Sequence, residues 1–562
     1  MPNNVVFTDP LLTQCEQIWN ATRDQIAEDE RIRKLRPVVK IHDGEYHLQY
    51  IIGDEYKFEA EVIDNETGTA LIDLPFESAA AQWINQEYER VQADEGKNVH
   101  MSYEYCGIRN CYRLDNRVME RDEDGISVLH TTWLHDYEEL KWYQLWSNPF
   151  LLAAVQIPRV FILIGPARWV LLTALFLNLL RDQAHLWSIP DDPLDRSSWT
   201  SGLNMNTWPI VVEPLSFLDD MEAGTLWTWL SSRWKTWHDV AQPILEDCEL
   251  SVRCRRFFEG DDPPWPGANL RPGALIISIV DQSGNYIGTS HGGTLFDGLF
   301  YTIGDFAADF IETTYSLLGG MPSPDDYYQQ GFRGTHKTKP WVIYREGEQT
   351  GIDTSEFIAK AEKGVQINTG GHSMPGVNEA ISAAIQAIGD VVGNALQIGS
   401  IGGSIDTLLK PIYEDTILAW MSVKLVGRSS TQGWARYFEY FQDGADKAYT
   451  LSSLLVLRAG IWATRGTFGV KLTVRDGAPY MVGEQGLGDF TIGDRIGATI
   501  AGDPTGRIFV DRVTKLKLAW DRDNAPEWEI TIGDDKELED PVVKAFKKIQ
   551  AIMSSLHDLG VF

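Results

Sequence analysis

The stretch VFILIGPARWVLLTALFLNLLR, residues 160–181, is the most apolar run in the chain, and its placement decides what kind of molecule the chain can be. A membrane-crossing helix needs about 20 consecutive apolar residues. Here Arg159, Arg168 and Arg181 interrupt the run, and Pro158 and Pro166 break it further. VFILI has the β-branched, apolar character of a buried strand. Gly165-Pro166 reads as a helix start, with proline at the first helical position. ARWVLLTALFLNLL is apolar on nearly every side, which marks a fully buried helix. The stretch therefore predicts a strand followed by a buried helix rather than a membrane span. Arg168 stands alone in that helix. Burying an unpaired guanidinium is costly, so a carboxylate is expected beside it, from its own subunit or a neighbour.

A chain of 562 residues is too long for one hydrophobic core, so three or four domains are expected. With 80 acidic and 49 basic residues the formal charge is −31. That balance excludes a protein that grips nucleic-acid phosphates through a basic patch, and it disfavours adhesion to an anionic membrane. Five cysteines are too few for a disulfide scaffold. The start MPNNVVFTDP has neither a basic end nor an apolar core, so synthesis in a cytoplasm without a signal peptide is expected. The 20 tryptophans suit an assembly, because surplus aromatic side chains serve protein interfaces.

The patterning predicts a multidomain α+β chain. Residues 1–145 form a mostly β domain. It opens with helical spacing of Cys15, Ile18, Trp19 and Ile26, has a hairpin turn at DNETG, a short helix at SAAAQWINQEYERV and a strand turn at DEDG. Residues 146–335 form a helix-rich α+β domain. It includes TLWTWLSSRWKTWHDVAQPILEDCEL as an amphipathic helix, GDDPPWPGANLRPG as a loop and ALIISIVDQSG as a strand. Residues 336–440 combine loop with a Gly/Ala-rich apolar segment at 375–409, then a helix in IYEDTILAWMSVKLVGRS. Residues 441–539 start with a helix in GADKAYTLSSLLVLRAGIWATR and continue as a second β region. Residues 540–562 form a terminal helix, with Asp540 as cap, Pro541 at its first turn, Gly560 at its stop and a stripe of Val542, Phe546, Ile549, Met553 and Leu556.

A search for chemistry finds no catalytic, cofactor-binding or metal site. No H-E-x-x-H or G-x-S-x-G occurs. His42/His47 and His130/His135 are five apart, which on a strand puts each pair on opposite faces. Cys106/Cys111 and Cys248/Cys254 are too widely spaced for a zinc knuckle, so buried free thiols are expected. The carboxylates of DRDNAPEWE lack the glycine of a calcium loop and read as a solvated turn. Trp265 in PPWPG is a candidate receptor or glycan contact.

Several segments, in order, resemble a known family. They are GIRNCYRLDNRVMERDEDGISVLHTTWLHDYEELKWYQLWSNP, GPARWVLLTALFLNLLR, RWKTWHDVAQPILEDCEL, ALIISIVDQSG…GGTLFDGLF, GWARYFEYFQDGADKAYTLSSLLVLRAGIWATRGTFGVKLTVRDGAPYMVGEQGLGDFTIGDRIGATI and WEITIGDD. Together they are similar to the minor tail proteins of actinobacterial (mycobacteriophage-type) siphophages, of the tail-hub class. The resemblance implies a structural virion protein at the tail tip, a homotrimer whose subunits each carry two tube-type β-barrel domains. The two β regions are the candidates for those barrels. Implied partners are a second and third copy, the distal tail protein, the tape-measure protein, and the tip fibre or other minor tail proteins. DNA would pass without specific binding, and the 375–409 segment is a candidate contact with the host envelope. Arg168 and Trp169, with Phe546, Ile549, Met553 and Leu556, are the interface candidates. A cell-wall hydrolase or a host-receptor-binding tip protein is the alternative.

Overall fold

The computed structural model describes residues 10–282 (apart from 94, 122–124, 185–193, 195–196, 198–201 and 224), 342–345, 351–370, 420–442, scattered positions between 456 and 464, 467–499 (apart from 478–479 and 485–486) and 508–533. The apolar 375–409 segment lies outside these residues. So does the terminal helix with Phe546, Ile549, Met553 and Leu556.

The first region opens with helix α1 (Leu11–Arg33). Four strands follow, β1 (Val38–His42), β2 (Leu48–Ile52), β3 (Lys57–Ile63) and β4 (Thr69–Pro75). The expected short helix is split at Gln86 into α2 (Ala79–Asn85) and α3 (Glu87–Gln92). The Ser78 hydroxyl accepts from the Ala81 amide at 3.1 Å and caps α2. At its other end the buried Arg90 guanidinium donates to the Trp83 and Ile84 carbonyls of the last turn. Strands β5 (His100–Tyr105), β6 (Ile108–Arg121) and β7 (Ser127–His135) complete the region. In β3, β4 and β7 every second residue is buried, as one-sided burial requires.

The second region holds β8 (Phe161–Pro166), α4 (Ala167–Gln183), β9 (Ile210–Val212), α5 (Phe217–Glu222), β10 (Trp227–Ser232), α6 (Trp237–Cys248), β11 (Leu250–Arg256) and β12 (Leu275–Asp281). The opening stretch is a strand and a helix as predicted, with the boundary one residue later, Pro166 ending β8 and Ala167 starting α4, but burial is one-sided: Ile162 is exposed, and Trp169, Phe176, Leu177 and Leu180 are only partly buried. No described helix is long and apolar enough to cross a membrane. The segment expected as one amphipathic helix divides in two. TLWTWLSS supplies β10, which pairs antiparallel with β8, and Thr236 caps α6, its hydroxyl accepting from the Asp239 amide. The aromatic and β-branched residues of β10 fit a strand beside β8 better than a helix. This region holds five strands in two small sheets, more strand than the helix-rich reading expected.

Strands β13 (Ile343–Tyr344), β14 (Ile352–Lys360), β15 (Gln366–Gly370) and β16 (Trp420–Lys424), helix α7 (Val426–Thr431) and strand β17 (Glu439–Phe441) follow. The helix expected over IYEDTILAWMSVKLVGRS is therefore corrected within its described part. WMSVK is strand because β16 finds a partner in β15, and in that described part only the short α7 is helical. The last strands are β18 (Thr467–Arg475), β19 (Arg495–Ala498), β20 (Phe509–Asp521) and β21 (Glu527–Ile532).

Both β regions enter one sheet. Its path runs β14-β18-β21-β20-β3-β4-β7-β6-β5-β1-β2, and the two halves meet where β20 pairs antiparallel with β3, Leu516 opposite Val62 and Leu518 opposite Ala60. One hydrophobic core lies beneath both halves, with Phe58 stacked on Trp520 at 3.9 Å between centroids. A second core, around α4, α6 and β12, fills the middle region.

The β3–β4 turn locks these bodies together. Asn65 is buried and left-handed (φ 57°), a conformation asparagine tolerates. Its side-chain amide donates to the Leu250 carbonyl at 2.7 Å and accepts from the Val252 amide at 2.8 Å, so it pairs with β11 as a strand residue would. Its own carbonyl accepts from Gln242 on α6. Next to it, Asp64 pairs with Arg512 of β20. We predict that Asn65→Ala lowers stability by about 2–4 kcal/mol, because it strands buried polar groups and strains the backbone. Asn65→Gly relieves only the backbone part. Urea midpoints of the two variants should rank wild type, then Gly, then Ala.

Candidate functional site

Nothing among the described residues gathers three or more potential metal ligands, and the five cysteines are free. His130 is half-exposed and His135 buried, so within β7 they lie on opposite faces as the spacing required; His42 is buried at the end of β1 and His47 is exposed in the turn before β2, so that pair is separated by a turn rather than by strand alternation. Trp265 packs partly buried against the second core rather than standing out as a binding side chain. The functional geometry of this chain lies instead in its module junctions and its uncovered apolar surfaces.

The carboxylate expected beside Arg168 is Asp220 of the same chain. Its fully buried side chain accepts from Arg168 Nε at 2.7 Å, from the Trp169 amide at 2.9 Å and from the Thr225 hydroxyl at 2.6 Å. Pro166 offers α4 no side-chain cap, so Asp220 serves as one from α5 and also meets the positive end of the helix. Trp169 packs edge-on against Phe217 at 5.2 Å. A Cβ at Gly165 would lie 3.0 Å from Phe217 and 3.1 Å from Trp169, so glycine is needed for this close approach.

A second junction joins β1, β2 and β5 to the middle region. His100 stacks on Tyr46 at 4.1 Å, and the Arg256 guanidinium lies 4.3 Å from the centre of the same tyrosine ring. Arg256 is buried and bidentate to Asp136, at 2.8 and 2.9 Å, and donates to the Gly273 carbonyl. His42 bonds the Ser102 hydroxyl through Nε2 and stacks on Phe258. His135 accepts the Tyr137 amide on Nδ1, which needs that nitrogen unprotonated. Burial pushes His42 and His135 down to about 4, and burial next to Arg256 and Arg113 holds His100 well below the usual histidine range.

Three apolar features remain uncovered. Helix α1 has no buried residue among those described, and its C-terminal end is tied to the sheet. There Arg33 donates to the Tyr480 carbonyl at 2.8 Å, and the Tyr105 hydroxyl donates to the Arg33 carbonyl at 2.6 Å. Residues 150–157 form a compact apolar loop. Gln156 Oε1 accepts from the Asn148 amide at 2.7 Å, Asn148 Nδ2 donates to the Ile157 carbonyl at 2.7 Å, and Gln156 Nε2 donates to the Leu151 and Leu152 carbonyls. The third is the aromatic run Trp434, Tyr437 and Phe438. Sequence reasoning singled out α1 but missed the loop. The signal was FLLAAVQIP, nine residues without a charge between Pro149 and Arg159.

Residues 38–534 match the family model of siphovirus ReqiPepy6 Gp37-like proteins. The chain is 32% identical over 595 residues to minor tail protein Gp28 of Mycobacterium phage L5, covering 98% of each. It is also 32% identical over 597 residues to minor tail protein Gp28 of Mycobacterium phage D29, covering 98% of this chain and 99% of that one. These matches define a class, the siphophage tail proteins. The chain belongs to the siphovirus Gp37-like family of minor tail proteins. Among solved structures, a tail protein from Neisseria meningitidis MC58 aligns with 89% of this chain and 97% of its own, at 9% identity and a TM-score of 0.36. Prophage tail protein gp18 from Listeria monocytogenes EGD-e aligns with 92% and 99%, at 9% identity and a TM-score of 0.37.

Two predictions follow from the junctions. Asp220→Ala should cost about 3–5 kcal/mol, since it leaves Arg168 without its carboxylate and the α4 amide without an acceptor; thermal melting reads this. The histidines set an acid limit. They are neutral in the folded chain, whereas the unfolded chain takes up their protons below about pH 6.5. Stability should be full above that pH and fall between pH 6.5 and 4, by about 1 kcal/mol per pH unit for each of His42 and His135. Denaturation midpoints of His42→Gln and His135→Asn chains should show a shallower fall over this range than wild type.

Proposed function

We propose that the chain is a homotrimeric hub of the siphophage tail tip. It connects the sixfold tail tube, through the distal tail protein, to threefold tip components, and it closes or gates the tube for DNA passage. The observation that carries this reading is the β20–β3 seam. One subunit sets two β modules edge to edge in a single sheet, so three subunits offer six modules to a sixfold neighbour and threefold symmetry to the tip. On this reading each module takes the place of one of the two tube-type β-barrel domains that the resemblance implies.

The open face of the sheet is compatible with passing DNA. Its lysines are held by glutamates: Lys57 and Lys517 by Glu59, Lys515 by Glu61, and Lys40 by Glu104. A lysine already paired gives less to a passing phosphate, and the net charge of −31 repels DNA at longer range. The tape-measure protein and the tip fibre are the other partners on this reading. The role is structural, with no step of chemistry assigned to any residue.

Sedimentation equilibrium of the purified chain tests the assembly. The expected species has three times the 63.3 kDa subunit mass. A chain that stays monomeric at high micromolar concentration, and that is missing from purified virions by mass spectrometry, would overturn the proposal.

A further inference from the structure

Helix α1 is about 35 Å long at 1.5 Å per residue, and its N-terminal two-thirds is amphipathic. Leu11, Leu12, Cys15, Ile18, Trp19 and Ile26 fall within one third of the helix circumference at 100° per residue, and all but Cys15 are large apolar side chains. Leu11, Leu12 and Trp19 are 70–76% exposed. Neither hydrophobic core includes a residue of α1. The opposite side, at Thr13, Gln14, Gln17 and Ala21, is half-buried, so the apolar stripe is the side of the helix left open for a partner.

The partner's chemistry is set by charge and area. Residues 11–33 carry five acids and three bases, which is the wrong sign for an anionic membrane surface and for the basic polar face that interfacial helices carry. The five large side chains of the stripe, with tryptophan alone worth roughly 150–250 Å², together approach the roughly 800 Å² that one partner brings to a standard protein interface. The same chain carries a complementary surface. The 150–157 loop exposes Leu152, Ala153, Ala154, Val155 and Ile157, with Ile157 71% exposed. Its Asn148 and Gln156 bonds fix its shape in advance, which reduces the entropic cost of docking. Its rim is basic. Arg159 follows it, and Arg233 stands just past the end of the adjoining strand, after Ser232, which pairs with Phe161.

We propose that α1 of one copy lies along the 150–157 loop of a neighbouring copy, so that each subunit gives one helix and receives one. The acidic helix meets the basic rim, and the two apolar faces cover each other. This is a heterologous contact, which closes when three copies complete the ring. It rests on the trimeric reading above and specifies the contact that builds the trimer.

Cysteine cross-linking of the full chain tests it. Cys15 lies on the stripe and is exposed, and Ala154→Cys places a thiol on the loop. Oxidation of the Ala154→Cys chain should give a covalent ladder ending at the trimer, and adding Cys15→Ser should abolish it. Trp19→Glu/Ile26→Glu on the helix and Leu152→Glu/Val155→Glu on the loop should each weaken assembly at least tenfold, while near-UV circular dichroism, which reads the packed cores, stays unchanged. Mixing these two variants should give dimers, because one intact contact remains between them. Trimers that persist in both variants, with no Cys15-dependent link, would overturn the docking and leave the trimeric reading standing. A Cys15-dependent link in an assembly of another size would do the reverse. Flotation of the wild-type chain with phosphatidylcholine vesicles, lost in Trp19→Glu/Ile26→Glu and without any link, would assign the helix to a membrane and overturn the proposal.

Discussion

The turn between β3 and β4 is the constraint on which the rest of this structure depends. Asn65 completes the edge of β11, 185 residues further along, and Asp64 holds Arg512 of β20, 448 residues away. Four residues on, Gly68 has no room for a Cβ, which would collide with the Glu61 backbone. The sheet that unites the first and last regions, the core beneath it and the docking of the middle region all meet at this turn. A contact of such sequence separation forms late and at a high entropic cost, so its pairing has to be specific. A buried asparagine with both amide groups engaged gives that specificity, because a shifted register would leave it unsatisfied.

Charge in this protein works in two ways. Across the seam the glutamates of β3 face the lysines of β20, which favours this pairing over others and leaves an open face with its cations engaged. At the buried junctions, single ion pairs fix geometry. Arg256 with Asp136 sets the angle between the first β region and the middle region, and Arg168 with Asp220 sets the start of α4. Such pairs contribute little net stability when intact, but they are costly to break. A tail component has to hold one shape while DNA passes, and these contacts suit that need better than additional apolar burial would.

Much of this was legible in the sequence. The strand and helix at 160–181, the carboxylate owed to Arg168, the DNETG hairpin and the opposite faces of His130 and His135 all follow from local rules of periodicity, capping and charge burial. The misreadings came where a partner strand decided the outcome. WTWLSS and WMSVK have apolar spacing that suits either helix or strand, and only β8 and β15 make them strands. The union of the two β regions was hidden for the same reason. KFEAEVI and VTKLKLA carry opposite charges on alternate residues, a matching pattern, but local reading does not compare segments some 450 residues apart. The apolar loop at 150–157 escaped because uncharged residues without periodicity resemble core.

The central claim is that three copies of this chain, each with two β modules joined at the β20–β3 seam, form the hub of the tail tip. A density map of intact tail tips tests it most directly. The account predicts a threefold ring at the end of the tube in which six β modules alternate between residues 38–135 and residues 467–532, each subunit's pair joined by that seam. A ring of six copies with one module each, or density for this chain away from the tube axis, would contradict it.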